Sequence, residues 1–373
     1  MTSTLESAIG PSAVTVKAPF GLAGELPRII GSGTATPPNY YTQEELLETF
    51  RVTDPKIRSI YLNSAIDGRF LTLPPELPDG SRLMETQGRL LAKHRENGVD
   101  MGSRALMACL KEAQADLSDV RYLVCVSSTG FLTPGLSALL IRELGIDPNC
   151  ARLDVVGMGC NAGLNGLTAV GGWAAAHPGE LAVLLCIEAC SAAYVFDGTM
   201  RTSVVNSLFG DGSGALAVKA GYDVPTGSPA ILKFASRIIP QALDAMRFDW
   251  DDDHGKFSFY LDRDVPYVVG ANAEGIIDEL LSGSGLRRSE IAHWVIHSGG
   301  KKVIDSVRLN LGLSAHDVRH TTNVLRDYGN LSSGSFLFSY QQLVGEGLTR
   351  PGDHVVFMTM GPGSTIETAL VRC

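Results

Sequence analysis

The sequence predicts a layered α/β protein built from two similar halves, and three observations carry that expectation. Strand-like and helix-like segments alternate from Ile29 onward. Leu117-Ser-Asp-Val-Arg-Tyr-Leu-Val124 follows an amphipathic segment and runs into a Ser/Thr/Gly loop, and Arg288-Ser-Glu-Ile-Ala-His-Trp-Val295 does the same, running into His297-Ser-Gly-Gly300. Between these two echoes, residues 221–230 (GYDVPTGSPA) supply a polar, Pro/Gly-rich break.

Taken in order, residues 1–28 are rich in Ser, Ala, Gly and Pro and read as a loose N-terminal arm. Residues 29–230 form a first half and 231–373 a second. Apolar runs of strand length stand at Tyr122–Ser127, Leu153–Val156, Leu181–Ile187, Ala215–Val218, Trp294–His297 and His354–Met358. Helical periodicity marks Gln43–Phe50, Val99–Ala115, Leu136–Leu144, Asn161–Ala176, Ala271–Leu281 and Lys302–Leu311.

Composition excludes several classes. The 373 residues are 45% apolar and 19% charged, enough for a large core. A net charge of -9 argues against nucleic acid and against a polybasic membrane anchor, so an anionic substrate needs a local basic patch. No apolar run is long enough to span a bilayer, and the N-terminus lacks a secretory pattern. The seven cysteines (109, 125, 150, 160, 186, 190 and 373) are odd in number, sit mostly in apolar runs and form no CxxC pair. A reduced, cytoplasmic protein fits that usage.

One cysteine departs from the core pattern. Gly157-Met-Gly-Cys160-Asn-Ala-Gly163 lies between the apolar stretch Leu153–Val156 and the nearly uncharged segment Asn161–Ala176. A thiol at such a strand-to-helix turn meets unpaired N–H groups and the positive end of the helix dipole, which favours thiolate. The glycines allow a tight turn and close approach of a substrate. A buried helix behind the thiol implies access through a tunnel.

A thiolate nucleophile calls for an imidazole. His297 ends an apolar strand and opens Ser-Gly-Gly, whereas His293 sits on the polar side of the alternation and reads as structural. His316 and His320 have helical metal-ligand spacing without a third ligand, and read as a solvated face. Asn330, in Asp327-Tyr-Gly-Asn-Leu-Ser-Ser-Gly334, is either a turn asparagine or an amide donor that completes an oxyanion hole with His297. Asp249–Asp253 lacks the glycine and closing glutamate of a calcium loop, and Gly31-Ser-Gly33 lacks the third glycine of a dinucleotide fingerprint. No metal site is expected.

Cys160 in its glycine setting, His297-Ser-Gly-Gly and Tyr328-Gly-Asn-Leu-Ser-Ser resemble the thiolase-fold condensing enzymes. Leu208-Phe-Gly-Asp-Gly212 and Gly361-Pro-Gly-Ser-Thr-Ile-Glu367 narrow the likeness to type III polyketide synthases, the chalcone synthase family. It runs from about residue 29 to the C-terminus. Segments 128–148, 154–165 and 321–340 are similar to members acting in glycopeptide-antibiotic pathways.

The resemblance implies a homodimer with a five-layered αβαβα fold. It implies that Cys160 carries the growing chain while His297 and Asn330 promote decarboxylation of malonyl-CoA, a substrate, with no cofactor. Phe209 and Phe259 match aromatic gatekeepers between a CoA tunnel and an inner cavity. Ser128, Thr129, Cys190, Gly361, Pro362 and Gly363 match cavity positions, and Thr133 matches a residue that reaches into the partner's cavity. For CoA, Lys56, Arg58, Gly299, Gly300 and Lys302 are the expected contacts, with Lys56 and Arg58 matching only in part.

Four malonyl units would give an eight-carbon chain with carbonyls at carbons 1, 3, 5 and 7. Closure from carbon 8 to carbon 3 and loss of water lead to a 3,5-dihydroxyphenylacetyl thioester. Enoyl-CoA hydratase-like enzymes are the implied pathway partners. A ketoacyl synthase III-type enzyme, a cysteine hydrolase and a non-catalytic scaffold are the alternatives.

Overall fold

The computed structural model describes residues 26–373, so most of the arm expected over 1–28 lies outside the described residues. Strand β1 (Arg28–Ala35) is followed by the ribbon β2 (Tyr40–Thr42) and β3 (Gly68–Phe70), with α1 (Gln43–Thr49) and α2 (Pro55–Leu62) between them. The first half continues through α3 (Gln87–Glu112), β4 (Val120–Ser127), α4 (Leu136–Leu144), β5 (Ala151–Val156), α5 (Ala162–Ala176), β6 (Leu181–Ala189), α6 (Met200–Leu208) and β7 (Asp211–Lys219). The second comprises β8 (Ala230–Ile238), the hairpin β9 (Met246–Asp251) and β10 (Lys256–Leu261), α7 (Val265–Leu281), β11 (Ile291–Ile296), α8 (Lys301–Leu311), α9 (Arg319–Tyr328), α10 (Ser335–Glu346), β12 (His354–Gly361) and β13 (Thr365–Arg372).

Nine strands run in the order β11-β12-β13-β8-β1-β7-β6-β4-β5. The internal echo of the sequence is realised here. Turns Leu117–Asp119 and Arg288–Glu290 feed the parallel strands β4 and β11. The order β4-β6-β7-β1 in one half then answers β11-β12-β13-β8 in the other. A single pairing, Arg28↔Ala230, joins the halves edge to edge.

Five layers follow from what packs on what. Helices α3 and α4 cover one face of the first half-sheet, and α7 carries α8 over the opposite face of the second. Helices α5 and α10 lie between the half-sheets and touch strands of both. Helix α5 has no charged residue and buries Leu164, Leu167, Val170 and Ala174, leaving only the narrow face of Thr168, Gly172 and Ala176 exposed. Among the described residues, no helix is long and apolar enough to cross a membrane.

Two boundaries differ from expectation for physical reasons. Helix α3 starts at Gln87, well before Val99, because Lys93 and His94 are buried there through polar contacts that hydrophobic periodicity misses. Helix α7 starts at Val265, where Pro266 takes an early position that needs no N–H donor. The reading of His320 as solvated is corrected. It is buried on α9, with Nε2 3.1 Å from the Glu346 carboxylate, while His316 alone is exposed.

Candidate active site

Cys160 sits where β5 gives way, through the tight turn Gly159–Asn161, to α5. Gly159 has φ +75, and a Cβ there would stand 2.4 Å from Pro362 Cδ. A Cβ on Gly361 would stand 2.3 Å from Asn161 Oδ1. The Gly361-Pro-Gly363 turn and the cysteine turn therefore approach as closely as glycine permits.

The expected low pKa is not what the site provides. Burial pushes the Cys160 thiol up to about 12, opposed mainly by the Ser332 hydroxyl 3.4 Å from Sγ. His297 gives no counterweight, because burial holds its imidazole down to about 3 and hence neutral. The enclosure that keeps water out outweighs the favourable turn. Nδ1 of His297 has no hydrogen-bond partner, an unusual state for a buried ring nitrogen.

Asn330 is fixed twice. Its N–H donates to Leu208 O at 2.9 Å and its carbonyl accepts from Gly210 N–H at 3.0 Å. Its side-chain Oδ1 accepts from Ser332 N–H at 2.8 Å, so the amide Nδ2 is the end left for a ligand. Ser332 pays for that geometry with φ +47, a backbone state costing roughly 1 kcal/mol outside glycine.

Ser332 also belongs to a chain of hydroxyls of which the sequence reading named only Ser128. Its Oγ lies 2.7 Å from Ser128 Oγ, and Ser128 donates to the fully buried Glu188 at 2.9 Å. Ser333 Oγ donates to the same carboxylate at 2.5 Å. Burial raises the Glu188 pKa, while these donors pull it back down. A lone acid inside the apolar run Leu181–Ala189 was the available signal.

Two cavities meet at the thiol. The inner one, about 320 Å³, is lined by Ser128, Thr129, Cys190, Tyr194, Pro362 and Gly363. The outer one, about 520 Å³, is lined by His297, Asn330, Gly299, Gly300 and Lys302. Cys160, Phe209, Met246 and Phe259 border both. The rings of Phe209 and Phe259 meet edge to face at 5.8 Å, a stable T-shaped contact across the junction.

Four expected residues are not brought to these walls, and Gly361 is one of them: only Pro362 and Gly363 of its turn reach the inner cavity. Lys56 is exposed on α2 and Arg58 donates to Val52 O, whereas α2 turns Ser59, Ile60 and Asn63 toward the outer cavity. Helical periodicity separates these faces, and the basic lining comes instead from Arg263, Lys301 and Lys302. Thr133 is exposed and lines neither cavity of its own chain. Elsewhere, Asp197, Asp251 and His254 offer ligand atoms within 4.8 Å of one another, but Asp251 and His254 already bond each other at 2.9 Å.

Profiles of chalcone and stilbene synthases match residues 22–222 (N-terminal domain) and 232–373 (C-terminal domain). The chain is 70% identical over 348 residues to a 3,5-dihydroxyphenylacetyl-CoA synthase of Amycolatopsis balhimycina, covering 93% of each. It is 65% identical over 350 residues to an enzyme of that name from Streptomyces toyocaensis, covering 93% of this chain and 90% of the relative. The crystal structure of PKS-I from the brown alga Ectocarpus siliculosus superposes with a TM-score of 0.86 at 26% identity, over 94% of this chain and 99% of that one. The chain belongs to the chalcone and stilbene synthase family and is a type III polyketide synthase.

Proposed function

We propose that this enzyme condenses four malonyl-CoA into 3,5-dihydroxyphenylacetyl-CoA, with Cys160 as nucleophile and His297 and Asn330 as the decarboxylation site. The observation that carries this reading is the position of Cys160 at the junction of two cavities, with His297 and Asn330 lining only the outer one.

In each extension, a malonyl-CoA in the outer cavity loses CO2, and its thioester oxygen takes the enolate charge against His297 and the Asn330 amide. The enolate carbon attacks the Cys160 thioester, a carbon–carbon bond forms, and the thiolate leaves. The lengthened chain then returns from CoA to Cys160 and extends past Phe209 and Phe259 into the inner cavity. A malonyl starter leaves a carboxylate on carbon 8, so its loss generates the carbanion that attacks carbon 3. Water leaves, and enolisation gives the ring. Acyl transfer, decarboxylation and aldol closure need no metal or redox group.

The high thiol pKa fits this order of events. A dry site protects the polyketone from hydrolysis. The thiol proton must then leave as the acyl group arrives, with neutral His297 the base in the same cavity.

A homodimer fits as well. Strand β5 is an edge strand of the sheet, paired on one side only, and exposes Leu153 and Val156 beside Met158 and Phe131. A second copy would cover them and bring its Thr133 to the inner cavity. The basic residues Arg263, Lys301 and Lys302 suit the CoA phosphates. Cytoplasmic malonyl-CoA is the substrate pool this chemistry uses, and a hydratase-like enzyme is the class that would act next on the product.

Incubation with malonyl-CoA alone, followed by mass spectrometry, tests the reading. The dihydroxyphenylacetyl thioester should form. A requirement for another starter would overturn the product, and activity restricted to carrier-protein thioesters would favour a ketoacyl synthase III-type reading.

A further inference from the structure

His94 takes no part in the scheme above, yet it touches Thr129, a residue of the inner cavity's wall. It is buried on α3 at 1% exposure, with Nδ1 3.2 Å from Thr129 Oγ1. The loop that carries Thr129 lies flat on the ring: a Cβ on Gly130 would stand 2.2 Å from His94 Cδ2. Its neighbour Lys93 turns away to pair with Glu85 at 2.5 Å. Thr129 lines the inner cavity.

The hydrogen bonds around Thr129 point one way. Ala189 N–H donates to its oxygen at 3.0 Å and fills one lone pair. Burial lowers the His94 pKa to about 4, so the ring is neutral and one nitrogen must accept. Were Nδ1 protonated, two N–H donors would converge on the same hydroxyl oxygen. Its own proton would then find only Ser127 Oγ, at 3.4 Å. With the proton on Nε2, the Thr129 O–H donates to Nδ1, and with the Ser127 hydroxyl directed to Glu188 Oε2 at 3.5 Å, the second lone pair of Thr129 stays free.

We propose that His94 is a positioning residue of the polyketide cavity: it holds the Thr129 proton, so that Thr129 accepts a hydrogen bond from an enolic hydroxyl of the folded chain before ring closure. A β-polyketone enolises readily, and an enol O–H is a donor where a ketone oxygen is not. A fixed acceptor on the cavity wall therefore selects one enol register, and with it one pair of carbons to join. The proposal rests on the reading that this cavity folds and closes a polyketide.

The test compares His94→Leu, His94→Asn and Thr129→Val with the wild type on malonyl-CoA. The readout is the ratio of aromatic thioester to pyrone by-products at matched CoA release. Losing one hydrogen bond should lower that ratio about tenfold in His94→Leu and Thr129→Val. His94→Asn, whose amide oxygen can take the place of Nδ1, should restore most of it. Nitrogen-15 spectra of histidine-labelled protein, assigned by the signals missing in His94→Asn, should show His94 protonated at Nε2.

An unchanged ratio in folded His94→Leu and Thr129→Val, or a proton on Nδ1, overturns the proposal while leaving the synthase reading intact. No aromatic product from the wild type would sink the cavity reading, and the proposal with it. The tautomer measurement does not depend on the product and separates the two failures.

Discussion

Phe209 and Asn330 are bound main chain to main chain: Asn330 N–H reaches Leu208 O, and Gly210 N–H returns to Asn330 O. The backbones of Phe209 and Asn330 therefore share one short bridge, so neither moves without the other. Asn330→Ala keeps this bridge, because only backbone atoms form it. It removes the amide and should lower kcat by about 10²–10³ with little change in KM. A large rise in KM instead would mean that the side chain acts in substrate binding, not in the chemical step.

The state of the Cys160 thiol is open to direct measurement. With a pKa pushed up to about 12, its thiolate fraction grows about tenfold per pH unit through the neutral range. Alkylation by iodoacetamide should therefore climb steadily from pH 6.5 to 9.5 without levelling. A plateau near pH 7 would show a thiolate–imidazolium pair in the resting enzyme, contrary to the neutral His297.

Most of the architecture was legible, because burial leaves a periodic trace. The apolar run Leu181–Ile187 lies inside β6, and the bounds of α4 match the periodicity of Leu136–Leu144. Cys160 was legible because its glycines make no sense in a core. What stayed hidden depends on tertiary contact. The roles of His94 and, despite its place in an apolar run, Glu188 show only where Thr129, Ser128 and Ser333 close on them from distant segments. The sign of the thiol shift was hidden too, since a local turn predicts dipole stabilisation whereas enclosure by other elements decides the outcome.

Arg69 gives a third prediction. It is fully buried, and it donates to Asn206 O at 2.7 Å, Phe209 O at 2.6 Å, Tyr194 Oη at 2.9 Å and Gln43 Oε1 at 2.8 Å. Tyr194 also donates to Phe209 O. The guanidinium thus closes the end of α6 and seats the backbone of Phe209. Arg69→Met removes the guanidinium donor from Asn206 O and Gln43 Oε1, leaves Phe209 O to Tyr194 alone, and should cost about 3 kcal/mol or more, read as a lowered denaturation midpoint. Arg69→Lys reaches fewer of them and should fall between. Equal stability in all three proteins would refute a structural role for the fork.

Acid stability follows from the two buried imidazoles. His94 and His297 fold with pKa values of about 4 and about 3, below the usual 6.5, so the unfolded chain binds more protons below that value. Their contribution is complete above pH 6.5 and is lost as the pH falls toward 4 and 3. At pH 5 the loss is about 2 kcal/mol for each. Buried Glu188 and Asp211, whose pKa values are raised, act in the opposite sense and offset part of it. Urea unfolding at pH 7 and pH 5 should show a smaller loss in His94→Asn than in the wild type, by about 2 kcal/mol. An equal loss in both would mean that His94 is protonated in the folded state.

The last prediction separates two sets of basic residues. Lys302 lines the outer cavity one turn from Gly299 and Gly300, whereas Lys56 is exposed on α2 and lines neither cavity. If the phosphates of CoA lie at that mouth, Lys302→Ala removes a charge from a site within a Debye length of them. Its KM for malonyl-CoA should rise about fivefold at low salt, with the difference shrinking as salt is added. A malonyl-pantetheine substrate has no such phosphates, so its KM should not change. Lys56→Ala should leave both values near wild type, because nothing in the fold holds that ammonium against the substrate. The reverse pattern would place the phosphates over α2 and restore the expectation drawn from the sequence.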